Sequence, residues 1–260
     1  MKWIRIGLLL VFAVAASNGF AQDTMMFKKV VFAKKGDTLN LRVLYPKDFD
    51  SAKTYPILFF LHGSGERGND NESQLVHGSK QFLKDSVRNA FPSIVVFPQC
   101  PANDYWSDVN IVTENGKRTF NFQKDGKPTK AMHALLAVVK DFLHRDYVDK
   151  SQVYVGGLSM GGMGTYEMLR RKRHTFAAAF AICGGDNLAN VKKYKHVPLW
   201  IFHGAKDDVV DPAFSVATAE RLKVLGDEVK LTIYPNANHN SWDSAFAEPG
   251  FLPWLYGHRR

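Results

Sequence analysis

The 260-residue chain is 45% apolar and 23% charged, long enough to bury a sizeable core in a single α/β domain, and it shows no internal repeat or low-complexity tract. Its formal net charge of +9 is spread over Lys28-Lys29, Lys34-Lys35, Lys192-Lys193 and Arg170-Arg171-Lys172-Arg173 with no nucleic-acid-binding module beside them, so it reads as a solvated basic face. Two cysteines, Cys100 and Cys183, are too few for a disulfide scaffold.

The chain opens with Lys2 and Arg5, an apolar run from Ile6 to Ala16, and then Gly19-Phe20-Ala21 before Gln22. A basic start, a short apolar stretch and small residues at a cleavage site fit a secretory signal over residues 1–21. The run is short for a membrane span and no cysteine follows it to take a lipid, which weighs against an uncleaved or lipid-tethered anchor. A secreted or periplasmic location follows, with no stable membrane insertion after cleavage and residues 22–260 as the working domain. In such an oxidising compartment the two cysteines could pair, but each ends a predicted buried strand, where a free thiol behaves as a small hydrophobe.

Val30–Ala33 and Leu39–Tyr45 are predicted strands joined at Lys35-Gly36-Asp37, a hairpin signal. Next come short apolar runs of the kind buried parallel strands show: 57–61, 94–97, 153–155, 178–182, 199–202 and 231–234. Helical periodicity marks Lys130–Phe142, started by Pro128-Thr129, then Met160–Arg171 and Ala213–Leu225, the last started by Asp211-Pro212. Strands alternating with helices give right-handed βαβ units and a mostly parallel sheet flanked by helices. The longest stretch without a pattern runs from Pro98 to Pro128.

Chemistry gathers at the carboxyl ends of such strands. There the chain places four polar clusters: His62-Gly63-Ser64-Gly65-Glu66-Arg67-Gly68, Gly157-Leu158-Ser159-Met160-Gly161, His203-Gly204-Ala205-Lys206-Asp207-Asp208, and Asn236-Ala237-Asn238-His239-Asn240-Ser241-Trp242. The second spells G-x-S-x-G, which alone arises by chance in roughly one chain in ten of this length, given glycine at about 7%. Between a strand and a helix it becomes a nucleophile elbow, with Ser159 at its tip.

A serine hydroxyl needs a base, and the base needs an acid to hold its tautomer. His239, in a loop after the last strand, is the predicted base; His62 and His203 each precede a glycine at a strand end and read as structural. Asp207 is the predicted acid, with Asp208 as the alternative, while Asp211 before Pro212 reads as a helix start. The oxyanion needs two donors: the N–H of Met160, and one from the glycine-rich loop, assigned to Ser64 with Gly63 or Gly65 as alternatives.

With those residues in place, the chain resembles secreted single-domain α/β-hydrolases related to polyhydroxybutyrate depolymerase and to feruloyl and acetyl-xylan esterases, a group that also includes prolyl-oligopeptidase-like "predicted peptidases". The resemblance runs from about Leu41 to Leu255 and rests on "FLHGSGERG", "GLSMGGMGTYEM", "FHGAKDDVV" and "NANHNSWDSAF". It implies the α/β-hydrolase fold, the triad Ser159, Asp207 and His239, and hydrolysis of carboxylic esters, often acyl groups on plant cell-wall polysaccharide. Asp211 departs from the group, where many relatives carry proline; that touches the helix start and not the triad.

Only Cys183 to Val197 separates two predicted strands at the position where this fold usually inserts a cap, so no sizeable cap is expected and the site should be open. An open site suits bulky or polymer-borne esters over lidded-lipase substrates. Trp106 and Trp242 are candidates to stack on a sugar or aryl acyl group, or else to pack beneath their own loops. No metal-ligand spacing, dinucleotide fingerprint or phosphate loop occurs, so neither metal nor nucleotide cofactor is expected. The expected activity is that of a serine esterase; the competing readings are a serine peptidase on the same fold and a non-catalytic glycan-binding protein.

Overall fold

A computed structural model describes residues 24–260; the leader expected over residues 1–21 lies outside the described residues. Among the described residues, no helix is long and apolar enough to cross a membrane.

Strands β1 (Lys28–Lys34) and β2 (Asp37–Leu44) form an antiparallel hairpin whose turn residues, Lys35 and Gly36, both take positive φ, at 53° and 87°. The remaining strands in chain order are β3 (Tyr55–Leu61), β4 (Ile94–Gln99), β5 (Val109–Glu114), β6 (Lys117–Phe122), β7 (Val148–Leu158), β8 (Ala178–Ile182), β9 (Leu199–Gly204) and β10 (Val229–Tyr234). Eight of these ten strands build one sheet in the order β1-β2-β4-β3-β7-β8-β9-β10, parallel from β4 onward. This is the expected α/β-hydrolase fold.

Helices α1 (Ser79–Leu83), α2 (Asp85–Ala90), α6 (Trp242–Ala247) and α7 (Phe251–Gly257) cover one face of the sheet. The other face carries α3 (Lys130–Phe142), α4 (Met160–Lys172) and α5 (Ala213–Val224). Alternation along β3 serves both layers: Ile57, Phe59 and Leu61 join the core under α3 and α4, while Leu58 and Phe60 join the opposite one. Burial on both faces explains why the central strands read as continuous apolar runs rather than alternating ones. Thr129 caps α3 by accepting from the Met132 N–H at 3.1 Å, which is the start signal the sequence carried. Cys100 and Cys183 are both free and buried, in cores on opposite faces of the sheet.

The stretch from Pro98 to Pro128 is not irregular as expected. It holds the antiparallel pair β5–β6, turning at Asn115-Gly116 with φ of 50° and 77°. Two consecutive positive φ values are what a two-residue hairpin turn demands, and Asn-Gly supplies them at little steric cost. Phe120 of this hairpin packs with Met163 and Val210, with Phe122 and Phe214 alongside, so the hairpin leans on α4 and on the loop after β9.

Between β8 and β9 the chain makes only one short 3-10 turn, Val191–Lys193, and no cap. That segment is braced from within by Asp186, whose carboxylate accepts from Asn187 N–H (2.7 Å), Asn190 Nδ2 (3.0 Å) and Tyr194 OH (3.1 Å). Burial outweighs these bonds and pushes its pKa from 3.8 up to about 6. Between those two values the folded chain holds a proton that the unfolded chain has released, so stability falls as pH rises through this window. Asp186→Asn keeps an acceptor oxygen for the Asn187 and Asn190 donors, turns an NH2 toward the Tyr194 hydroxyl oxygen, and removes the charge. The variant is expected to gain about 3 kcal/mol over the parent at pH 8 and almost nothing at pH 4, read by thermal denaturation at both values. An equal gain at both would mean that Asp186 is not the titrating group.

Candidate active site

Ser159 stands between β7 and α4 with φ 53° and ψ −118°, a strained conformation for a residue with a side chain. The surrounding structure holds it there: its N–H donates to Ile182 O at 2.8 Å, and its carbonyl accepts from Met163 N–H at 3.0 Å. The turn is pressed against the end of β3. A Cβ at Gly161 would lie 1.9 Å from Leu61 O, and one at Gly157 2.3 Å from the same atom, so only glycine fits either side of the serine. The G-x-S-x-G pattern is thus a packing requirement of this elbow.

Strands β9 and β10 deliver the other two groups. Their exits run close together, with Ala205 N–H bonded to Tyr234 O and Lys206 N–H to Ala237 O. His239 Nε2 lies 2.9 Å from Ser159 Oγ, and His239 Nδ1 lies 2.8 Å from Asp207 Oδ2. Asp207 is itself fixed on both oxygens. Oδ1 accepts from the N–H groups of Val209 and Val210, both at 2.9 Å, and Oδ2 also accepts from His203 Nε2 at 3.1 Å. Burial opposes the charge on Asp207, yet the bonds from His203, His239 and Val210 prevail and hold its carboxyl below the usual range.

The rival residues are used otherwise. His203 is fully buried, with Ser215 Oγ 2.7 Å from its Nδ1, so it braces the acid and stays away from the serine. His62 accepts from Cys100 N–H through Nε2 (2.9 Å) and donates to Gly63 O through Nδ1 (2.6 Å). Burial lowers its pKa to about 4, leaving it a neutral brace between β3 and β4. Asp208 is exposed, and Asp211 Oδ1 accepts from Ala213 N–H at the start of α5.

Met160 opens α4 and Ser64 opens a single 3-10 turn, Ser64–Glu66, directly after β3. The first N–H of a helix has no acceptor inside it, so neither is taken up within its own turn. The loop that carries Ser64 lies on the elbow: a Cβ at Gly63 would stand 3.7 Å from Ser159 Cβ.

The two tryptophans part company. Trp242 is half-buried, edge-on to the His239 ring with centroids 5.6 Å apart. Trp106 is a correction: it is fully buried, 5.5 Å from the His62 ring and against Gly164, and lines no accessible surface. Its side chain faces the core because the loop after β4 folds back over α4. Cys183, expected only as a buried thiol at a strand end, sits at φ 42° beside Asp207 and His239. One ligand-type atom from each of Cys183, Asp207 and His239 falls within 4.8 Å of the others. Burial pushes the thiol pKa up, away from a metal-binding thiolate, and the acid and base are already bonded to each other.

Known proteins share the fold and parts of the sequence. The chain is 27% identical to lysophospholipase-like protein 1 of Mus musculus over 190 residues, covering 70% of this chain and 79% of that protein. It is 29% identical over 180 residues to the bifunctional acetylxylan esterase/xylanase XynS20E of Neocallimastix patriciarum, covering 68% of this chain but 23% of that one. Among solved structures, a thermostable esterase superposes with a TM-score of 0.80 at 28% identity, over 92% of this chain and 64% of the esterase, just under two thirds of its length. A ferulic acid esterase from Anaeromyces mucronatus shares the fold with a TM-score of 0.63 at 17% identity, covering 89% and 90% of the two chains. The sequence profile of the phospholipase/carboxylesterase family matches residues 49–248, and the chain belongs to that family of α/β hydrolases.

Proposed function

We propose that the protein is a serine carboxylesterase working through an acyl-enzyme. The observation that carries this reading is the relay Ser159–His239–Asp207, at 2.9 and 2.8 Å. Ser159 Oγ attacks the ester carbonyl while His239 Nε2 takes its proton, and Asp207 holds the imidazole and offsets its charge. The N–H groups of Met160 and Ser64 bind the oxyanion. His239 then passes the proton to the departing alcohol. Water, deprotonated by the same histidine, attacks the acyl-enzyme, the acid leaves and the serine regains its proton.

Three features support ester-borne acyl groups on a bulky alcohol, acetyl or feruloyl on plant polysaccharide among them. There is no cap between β8 and β9, Trp242 stands beside the base, and an acetylxylan esterase is among the relatives. The leader-like first 21 residues support export to the periplasm or beyond. A panel of p-nitrophenyl acetate, acetylated and feruloylated xylo-oligosaccharides, and aminoacyl p-nitroanilides tests the activity. Turnover of the esters with kcat/KM at least about 100-fold above any anilide is expected, a margin of roughly 3 kcal/mol in transition-state binding. Preferential turnover of the anilides would replace the esterase reading with a peptidase.

A further inference from the structure

Beside the relay, a second chain of neighbouring residues runs from Ser159 to His239. Gly63 touches the elbow, and a Cβ there would stand 3.0 Å from Glu66 Oε2 and 3.7 Å from Ser159 Cβ. Glu66 Oε1 lies 3.7 Å from His77 Nε2. The His77 ring packs on Trp242 with centroids 5.0 Å apart, and Trp242 returns to His239 at 5.6 Å. A carboxylate, an imidazole and an indole therefore follow one another along this route.

The carboxylate is the unusual member. The Glu66 side chain is only 12% exposed, Oε2 is buried with no hydrogen-bond partner, and 3.7 Å is too long for a bond from His77 to Oε1. Its neighbour Arg67 does not neutralise it: that guanidinium is bonded to the carbonyls of Ser64 and Asp104 and lies over the Tyr105 ring. A nearly buried carboxylate without donors is costly, and native proteins seldom leave one so unless a ligand completes it. Apolar groups placed here would strip its remaining water and anions would be repelled, whereas a hydroxyl can donate to Oε1 and still meet His77 Nε2.

The side of the ester follows from the mechanism. His239 hands its proton to the departing alcohol, so the wall that continues from His239 through Trp242 and His77 to Glu66 borders the alcohol. Resting on the esterase reading above, we infer that Glu66 and His77 form a subsite for a hydroxyl on the alcohol part of the ester, next to the ester oxygen, with Trp242 against the alcohol's ring. The substrate alcohol is therefore a polyol such as a sugar ring, and not a hydrocarbon chain.

Two small acetates test this: trans-2-hydroxycyclohexyl acetate and cyclohexyl acetate, which differ by that one hydroxyl. The wild-type enzyme is expected to prefer the hydroxylated ester by about 10–100-fold in kcat/KM, the range of one hydrogen bond to a charged group. In Glu66→Ala the ratio should fall to near one, and in the isosteric Glu66→Gln to an intermediate value, which keeps the test decisive if the alanine variant folds poorly. A wild-type ratio near one, or a ratio unchanged by both substitutions, would overturn the subsite while leaving the esterase intact. Failure of the wild-type enzyme to hydrolyse either acetate would instead remove the esterase reading, and the subsite with it.

Discussion

Ser159→Ala is expected to lower kcat for p-nitrophenyl acetate by about 10⁶-fold, the scale seen when the nucleophile of a serine relay is removed. KM should change little, because the proposed oxyanion donors, the N–H groups of Met160 and Ser64, remain. The size of the loss follows from the geometry. Ser159 Oγ is the atom that His239 Nε2 addresses at 2.9 Å, and among the described residues no other hydroxyl is bonded to that nitrogen. The fold should survive, since Ser159 is held by its backbone bonds to Ile182 and Met163, which alanine retains. Stopped-flow or long-time assays with a melting curve for each protein would check both points. A loss of less than about 100-fold in a folded variant would mean that another group attacks the ester.

Asp207→Asn is expected to cost about 10⁴-fold in kcat, through the tautomer of His239. The Oδ1 side is fixed by two donors, the N–H groups of Val209 and Val210, so the amide oxygen must sit there. The amide NH2 is thereby forced onto the Oδ2 side, where it donates to His239 Nδ1. The imidazole proton then moves to Nε2, facing Ser159, and the base can no longer accept the serine proton. Asp208→Asn, at an exposed side chain outside the relay, should stay within about twofold of the parent. Reversed effects in the two variants, measured as kcat on one soluble ester, would transfer the acid to Asp208.

Much of this arrangement is legible in the amino-acid sequence. The central strands are buried on both faces, so they appear as apolar runs, and the polar clusters that follow them must emerge on one sheet edge. That logic brings Ser159, Asp207 and His239 together from positions 48 and 32 residues apart in sequence. It also sets His62 and His203 apart as braces. Hairpin β5–β6 escapes because its strands are largely exposed and pair only with each other, so no continuous apolar run marks them, although Asn115-Gly116 is a usable turn signal. The short helices α1, α2, α6 and α7 run five to seven residues, too few turns to show a period.

Side-chain direction in loops is the least legible property. Trp106 and Trp242 look alike in sequence, yet one lies against Gly164 in the core and the other beside the base, because tertiary packing decides which way a loop residue turns. Glu66 is the same case: nothing in "GSGERG" tells that its carboxylate folds back onto Gly63 while Arg67 turns away.

Whether Ser159 is an activated nucleophile is tested most directly by a fluorophosphonate probe followed by peptide mass mapping. One equivalent of label on the peptide carrying Ser159 is expected, lost in Ser159→Ala and slowed in Asp207→Asn. A folded wild-type protein that takes no label, or a Ser159→Ala variant that still takes one, would contradict that role.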